Sequence, residues 1–455
     1  MPIQGLVRLM SVATAILRTQ QVSGITKRHV GEEQVPDINA LDLISPSAYG
    51  ERGIPHDQWS ELRRLDRLQF CDPPGFDPFY PVVRHEHICE ISKQPDLFLS
   101  GSGITLDSKE QKAIIEADKG IGQMKVIITM DPPEHRDYRK VASHWFTARA
   151  IERMVAPVVR ESACNLVESL VEKASGGEGE CEFANDVAVA HPLRILSTVL
   201  GVPREKEPQL LRLTQELFGS DDPDLQRKGD DRSKSAEELA MEFVELFNGI
   251  IEDRRANPTD DLASLLANGQ VNGEPMGLME TLGYYLITFT AGHDTTKNAL
   301  AGGICALAQN PGEYEKLKRN PELIPSAVEE IVRWASPVNY MKRVVAKDLD
   351  FHGQKLGKGD NLVLFYGSAN RDESIFEDPF AFRVDRNPNP HLGFGIGEHF
   401  CLGAHLARAS QRALLSEFVS RIDSLELAGE PEQIEASFVV GLKKLPLRYR
   451  VSQAA

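Results

Sequence analysis

The residues that could carry chemistry begin with Cys401. It ends a glycine-rich run, Gly393-Phe394-Gly395-Ile396-Gly397-Glu398-His399-Phe400-Cys401-Leu402-Gly403. Three glycines ahead of a cysteine permit positive φ and let the backbone come close to a flat ligand. Residues 402–418 read as a helix, which puts the cysteine at a helix N-terminus. There the dipole and the unpaired N–H groups favour a thiolate. A thiolate so placed can bind iron and push electron density onto it. The other five cysteines, at positions 71, 89, 164, 181 and 305, form no CxxC pair and no zinc-type spacing. They read as small, inert side chains of a reducing compartment.

A second segment, Ala291-Gly292-His293-Asp294-Thr295-Thr296, disturbs an otherwise good helical pattern. Gly292 costs roughly 1 kcal/mol relative to alanine in a helix, and paired threonines are mediocre helix formers. Local rule-breaking of this kind predicts a functional kink. Gly292 would also let a flat ligand pass close to the backbone. The Thr295 hydroxyl can both accept and donate hydrogen bonds, and Asp294 can relay protons. Taken alone, the same residues are far more readily a solvated aspartate beside threonines that bond back to their own helix.

Charges complete the set. Glu330 and Arg333 lie at i and i+3 on one helix face, which alone describes an exposed ion pair of about 0.3 kcal/mol. His135 and Arg139, at i and i+4, share a face of a helix opened by Asp131-Pro132-Pro133-Glu134. His85 and His87 read as surface or strand residues and not as metal ligands.

These groups need elements to hold them. Apolar spacing predicts helices over 151–174, 205–218, 235–255 and 275–309, the last ended by Asn310-Pro311. Residues 219–234, with the polar run 220–224, read as a solvated loop. Strand signals are short: 80–83, 350–351, 361–365 and 445–450. The sum is a mainly α chain with a minor β portion. Residues 1–35, acid-free up to Gly31, read as an extension, and 36–455 as one catalytic domain. The chain's 455 residues are 41% hydrophobic and 26% charged, enough for a core that encloses a cofactor. A net charge of −16 disfavours nucleic acid. No apolar run is long enough to span a membrane.

Taken together and in this order, the segments resemble the cytochromes P450. The cysteine loop is similar to that family's haem-binding loop through Phe394, Gly397, Cys401 and Gly403, and 291–296 to its oxygen-activating helix. The likeness runs from about Pro36 to the C-terminus. It implies the P450 fold, with a long central helix over haem b (iron protoporphyrin IX), and Cys401 as axial iron ligand beside Phe394. It makes Asp294 and Thr295 an acid–alcohol pair, and Glu330, Arg333 and Arg386 a buried structural triad. His135, Arg139, Arg343 and His399 become propionate partners, with Gly292 and Gly403 also beside the haem. The implied reaction inserts one atom of dioxygen into an apolar small molecule, terpenoid or steroid-like, in the cytoplasm. Electrons would come from a separate ferredoxin and ferredoxin reductase, docking on a positive patch of Arg136, Lys140, Arg408 and Arg412. Rival readings are a peroxide-driven hydroxylase and a haem-thiolate gas sensor. Pocket segments are expected at 99–128, 219–234, 338–341 and 438–442.

Overall fold

In 361–365, four apolar residues, Leu-Val-Leu-Phe, follow Asn361 without alternation, the pattern of a strand covered on both faces. They form a buried strand at the centre of a sheet. The computed structural model describes residues 38–106, 108–109, 126–218, 222, 224 and 232–452. The sheet is built from β1 (Phe79–Val82), β2 (Phe98–Leu99), β4 (Tyr340–Val345) and β5 (Asn361–Phe365), in the order β1-β5-β4-β2. β1 runs parallel to β5, while β4 is antiparallel to it with Arg343 opposite Leu362. A second sheet joins β6 (Ile422–Leu427), β7 (Pro446–Val451) and β3 (Glu178–Glu182), with β7 in the middle.

Helices make up most of the rest. Those that position the site are α1 (Glu134–Ser143), α2 (Ala156–Lys173), α3 (Ala190–Val199), α4 (Leu278–Gln309), α5 (Ile324–Ala335) and α6 (Ala404–Arg421). α4 has 32 residues and is anchored in two cores. Leu282, Tyr284, Tyr285 and Phe289 pack near its start, with Leu196 of α3 and Phe247. Ala299, Leu300, Ile304 and Leu307 pack near its end, with Phe418 of α6 and Ile331 of α5. The segment 291–296 lies between these anchors.

Several expected boundaries move, each for a local reason. The helix expected over 151–174 is two helices, Ala148–Met154 and α2, which meet at Val155. Pro157 forces the break, because it has no N–H to give and its ring crowds the preceding turn. α4 starts at Leu278 and not at Pro275, since Glu274–Pro275 pairs with Gln270–Val271. The expected kink does not interrupt α4: residues 291–296 stay α-helical. His85 and His87 are not strand residues. They open the helix His85–Ser92, and His87 is buried against the His352 ring at 4.7 Å. The N-terminal segment and most of 219–234 lie outside the described residues. Among the described residues no helix is long and apolar enough to cross a membrane.

Candidate active site

α4 and the cysteine loop face each other across one cavity. About 1610 Å³ of empty space, its mouth included, is bounded by Thr295 and Gly292 on one side and by Phe394, Cys401 and Gly403 on the other. The loop is held by its backbone. The Cys401 N–H donates to the Phe394 carbonyl at 2.9 Å. Gly397 has φ +78°, and a Cβ there would lie 2.2 Å from the Ser92 carbonyl oxygen, so no other residue fits. Helix α6 begins only at Ala404, so Cys401 precedes it by a turn and is not its first residue. Burial pushes the Cys401 thiol up. The Gly403 N–H, Arg139 and Arg408 pull it the other way without prevailing. A cation bound to the sulfur is what would tip this balance to thiolate.

His135, Arg139, Arg343 and His399 all line this cavity. His135 is 1% exposed, and neither of its ring nitrogens has a hydrogen-bond partner. Its ring lies 4.1 Å from that of His399, and its Nδ1 is 3.8 Å from Glu398. His399 reaches Ser100 Oγ at 3.3 Å. Burial, then Arg343, His135 and Arg139, push the His399 ring down to about 3. Arg139 donates to the Phe400 carbonyl, and Arg343 to that of Lys342 at 2.8 Å. Four groups that carry or can carry positive charge thus crowd together, and the nearby Glu398 carboxylate is already engaged by Arg136. Such a set suits a ligand with two carboxylates, because buried charge needs a partner. A thiol across the cavity adds a ligand for iron, so the residues present fit a haem.

The residues of α4 separate. Thr295 lines the cavity and donates to the Ala291 carbonyl at 2.7 Å. Asp294 is buried and does not line it. Its carboxylate lies 3.6 Å from His293 Nδ1 and 3.9 Å from Lys297 Nζ, with one oxygen lacking a hydrogen bond. Gly292 lines the cavity, yet its missing side chain answers first to α3: a Cβ would meet Leu196 at 3.1 Å.

Behind the loop, Glu330 and Arg333 are both 0% exposed and joined at 2.7 and 2.8 Å. Arg386 completes the triad at 3.1 Å, and Asn389 and the Arg383 N–H also donate to Glu330. This is the buried arrangement, not the exposed pair that the spacing alone describes.

Of the expected pocket segments, Ile127, Ile128, Val338 and Met341 line the cavity. None of 438–442 does: Phe438 packs on Tyr340, and Val439 bridges to Val338. The sequence reading missed Thr288, Pro192, Ile195 and Leu196, which also line it. Thr288 was findable, since it stands seven residues before Thr295 on the same helix face. The α3 residues carried no signal, because a buried apolar helix and a cavity wall read alike.

The family model for Cytochrome P450 matches residues 101–451. The chain belongs to the cytochrome P450 family. Cytochrome P450-terp of a Pseudomonas species is 35% identical over 91% of this P450 and 98% of its own length. Linalool 8-monooxygenase of Pseudomonas putida is 33% identical, covering 89% and 97%. The crystal structure of CYP108D1 from Novosphingobium aromaticivorans superposes with a TM-score of 0.81 at 36% identity, covering 90% of this P450 and 97% of that chain. The fold is therefore the mainly α P450 fold, the family cofactor is haem b, and the enzyme is a P450 monooxygenase.

Proposed function

We propose that this P450 inserts one oxygen atom from dioxygen into an apolar small molecule of terpenoid or steroid-like class. It takes electrons from a separate ferredoxin and ferredoxin reductase, and works in the cytoplasm. The observation that carries this reading is the shared cavity: Cys401 stands on one wall and Thr295 on the other. Among the relatives, linalool 8-monooxygenase supports the terpenoid end of the range and the steroid C26-monooxygenases the steroid end.

Bound haem supplies the iron at which dioxygen is reduced. In this reading Cys401 is its thiolate ligand, with Phe394 beside the sulfur. Arg139, Arg343, His135 and His399 would hold the propionates, and Gly403 and Gly292, both in the lining, would leave room beside the group. Thr295 Oγ holds a proton at the distal wall. Its hydrogen bond to Ala291 uses the hydroxyl proton and leaves the oxygen able to accept from an ordered water. Asp294, behind it and beside His293 and Lys297, passes protons forward from outside. Ile127, Ile128, Val338 and Met341 keep the substrate side apolar, so protons arrive by this route and not from bulk water.

The test begins with dithionite and carbon monoxide. The holoenzyme should give the red-shifted band of a thiolate-ligated haem, and Cys401→Ser should lose it. A band that survives the substitution overturns the ligand assignment. NADH, ferredoxin, its reductase and a terpenoid should then give hydroxylated product. Product from hydrogen peroxide alone, and none from the reductase chain, would favour a peroxide-driven enzyme.

A further inference from the structure

Three threonines stand at intervals of seven along α4: Thr281, Thr288 and Thr295. At that spacing they drift by only about 20° per step, so they share a face. Two of them close on their own helix. Thr281 donates to the Gly277 carbonyl at 2.8 Å, and Thr295 to that of Ala291 at 2.7 Å. Thr288 does not. Its hydroxyl has no hydrogen-bond partner among the described residues, and it lines the cavity.

Its surroundings isolate it. Between Thr288 and Thr295 the cavity face of α4 carries only Ala291 and Gly292, so no bulky side chain separates the two hydroxyls. Ile287 beside it and Ile127, Ile128, Val338 and Met341 elsewhere in the lining offer nothing to a hydroxyl. The charged groups of the cavity are spoken for by carboxylates in the function proposed above. Thr288 is half-buried and its hydroxyl is not among the buried groups that lack a partner, so it stays open to the cavity and can pair with whatever fills it.

We propose that Thr288 is a specificity-determining residue that hydrogen-bonds an oxygen at the far end of the substrate from the carbon oxidised. The inference rests on the monooxygenase reading, which puts that carbon next to Thr295. Seven residues of helix rise about 10 Å. The substrate must therefore hold a hydroxyl or carbonyl within about that reach of the oxidised carbon. An oxygenated monoterpenoid meets this condition. A steroid hydroxylated at the end of its side chain does not, because its ring oxygen lies well beyond. The preference is also asymmetric: a site with an open hydroxyl favours the oxygenated molecule over its hydrocarbon.

The experiment titrates the haem-loaded enzyme with geraniol and with its deoxy hydrocarbon, following the spin-state change of the haem. Wild type should bind geraniol more tightly. Thr288→Val, which keeps the shape and removes the hydroxyl, should weaken geraniol about three- to tenfold and leave the hydrocarbon unchanged. Thr288→Ser keeps the hydroxyl and should retain the preference, so a general packing fault cannot imitate the result. No response of wild type to geraniol, or equal effects of Thr288→Val on both probes, overturns the inference. The carbon monoxide band separates the two levels. Its absence in wild type sinks the haem-thiolate reading, whereas an intact band with no preference for geraniol sinks only the role of Thr288.

Discussion

Asp294 and Thr295 are neighbours in sequence with opposite surroundings. Thr295 faces the cavity, while Asp294 is turned into the protein toward His293 and Lys297. His293 in turn reaches the Val189 carbonyl at 3.2 Å and stacks on Phe289. This division gives the two residues different tasks in the proposed reaction, and therefore different failures. Thr295→Ala removes the hydroxyl at the distal wall and leaves the supply behind it. It should bind haem and consume reduced nicotinamide through its partners, while product yield collapses and hydrogen peroxide accumulates. Asp294→Asn throttles the supply itself and should slow the whole cycle. Positioned proton transfer is worth roughly 10²–10⁴-fold, so the effects should be plain in oxygen uptake and product assays. Wild-type rate and coupling in both variants would leave the pair a structural one. The motif was legible because its residues are adjacent in the chain. The separation of their side chains was not, since the facing of Asp294 depends on what packs against the helix from other segments.

At the scale of elements, α5 is tied to the loop that follows it by one carboxylate. Glu330 accepts from Arg333, Arg386, Asn389 and the Arg383 N–H, all in a buried setting. Arg333 also donates to the carbonyls of Asn370, Pro379 and Ala381, which stitches α5 to residues 370–381. Arg333→Ala should thus leave Glu330 under-compensated at a cost of about 3–5 kcal/mol. The expected outcome is poor haem incorporation and a lowered Tm. An equally stable, fully haem-loaded variant would show that the remaining donors suffice. The i,i+3 spacing was readable, but burial was set by residues forty and more positions away. The strands divide in the same manner. β5 was read with its bounds intact because Leu362–Phe365 form an unbroken apolar run behind Asn361. β3, Glu-Gly-Glu-Cys-Glu, has almost no intrinsic strand character. It is a strand because β7 pairs with it, Arg448 and Arg450 meeting Glu180 and Glu178 across the ladder. β4 was missed because Lys342 and Arg343 break its apolar pattern. Yet Lys342 is buried with its ammonium on the Ser102 carbonyl, and Arg343 lines the cavity.

Over the whole molecule the charge is −16, so an acidic electron donor would be repelled everywhere except at a local positive patch. The sequence suggested Arg136, Lys140, Arg408 and Arg412 for that patch. The structure weakens it. Arg136 is bound to Glu398 at 2.6 Å, Lys140 to Asp137 at 3.0 Å, and Arg408 to Glu329 at 2.7 Å while lying over the Phe394 ring. Only Arg412 is exposed with no ion pair among the described residues. Phe400, next to the cysteine, is also exposed and would add apolar contact on this face. A ferredoxin arriving here would meet four cations offset by three carboxylates, so steering should be modest, and the contact partly apolar. Ion pairs at the surface are screened within about 10 Å at 0.1 M salt, which allows the two contributions to be separated. The rate of reduction by an acidic ferredoxin should fall as salt rises, by less than an unpaired patch would give. Arg412→Gln and Arg136→Gln should each lower the low-salt rate, because each removes one positive charge and the second also leaves the Glu398 carboxylate unpaired on this face. Phe400→Ala should instead slow reduction equally at low and high salt. Stopped-flow reduction of the four proteins across a salt series checks this pattern. A rate indifferent to salt and to all three substitutions would move the docking face elsewhere on the molecule.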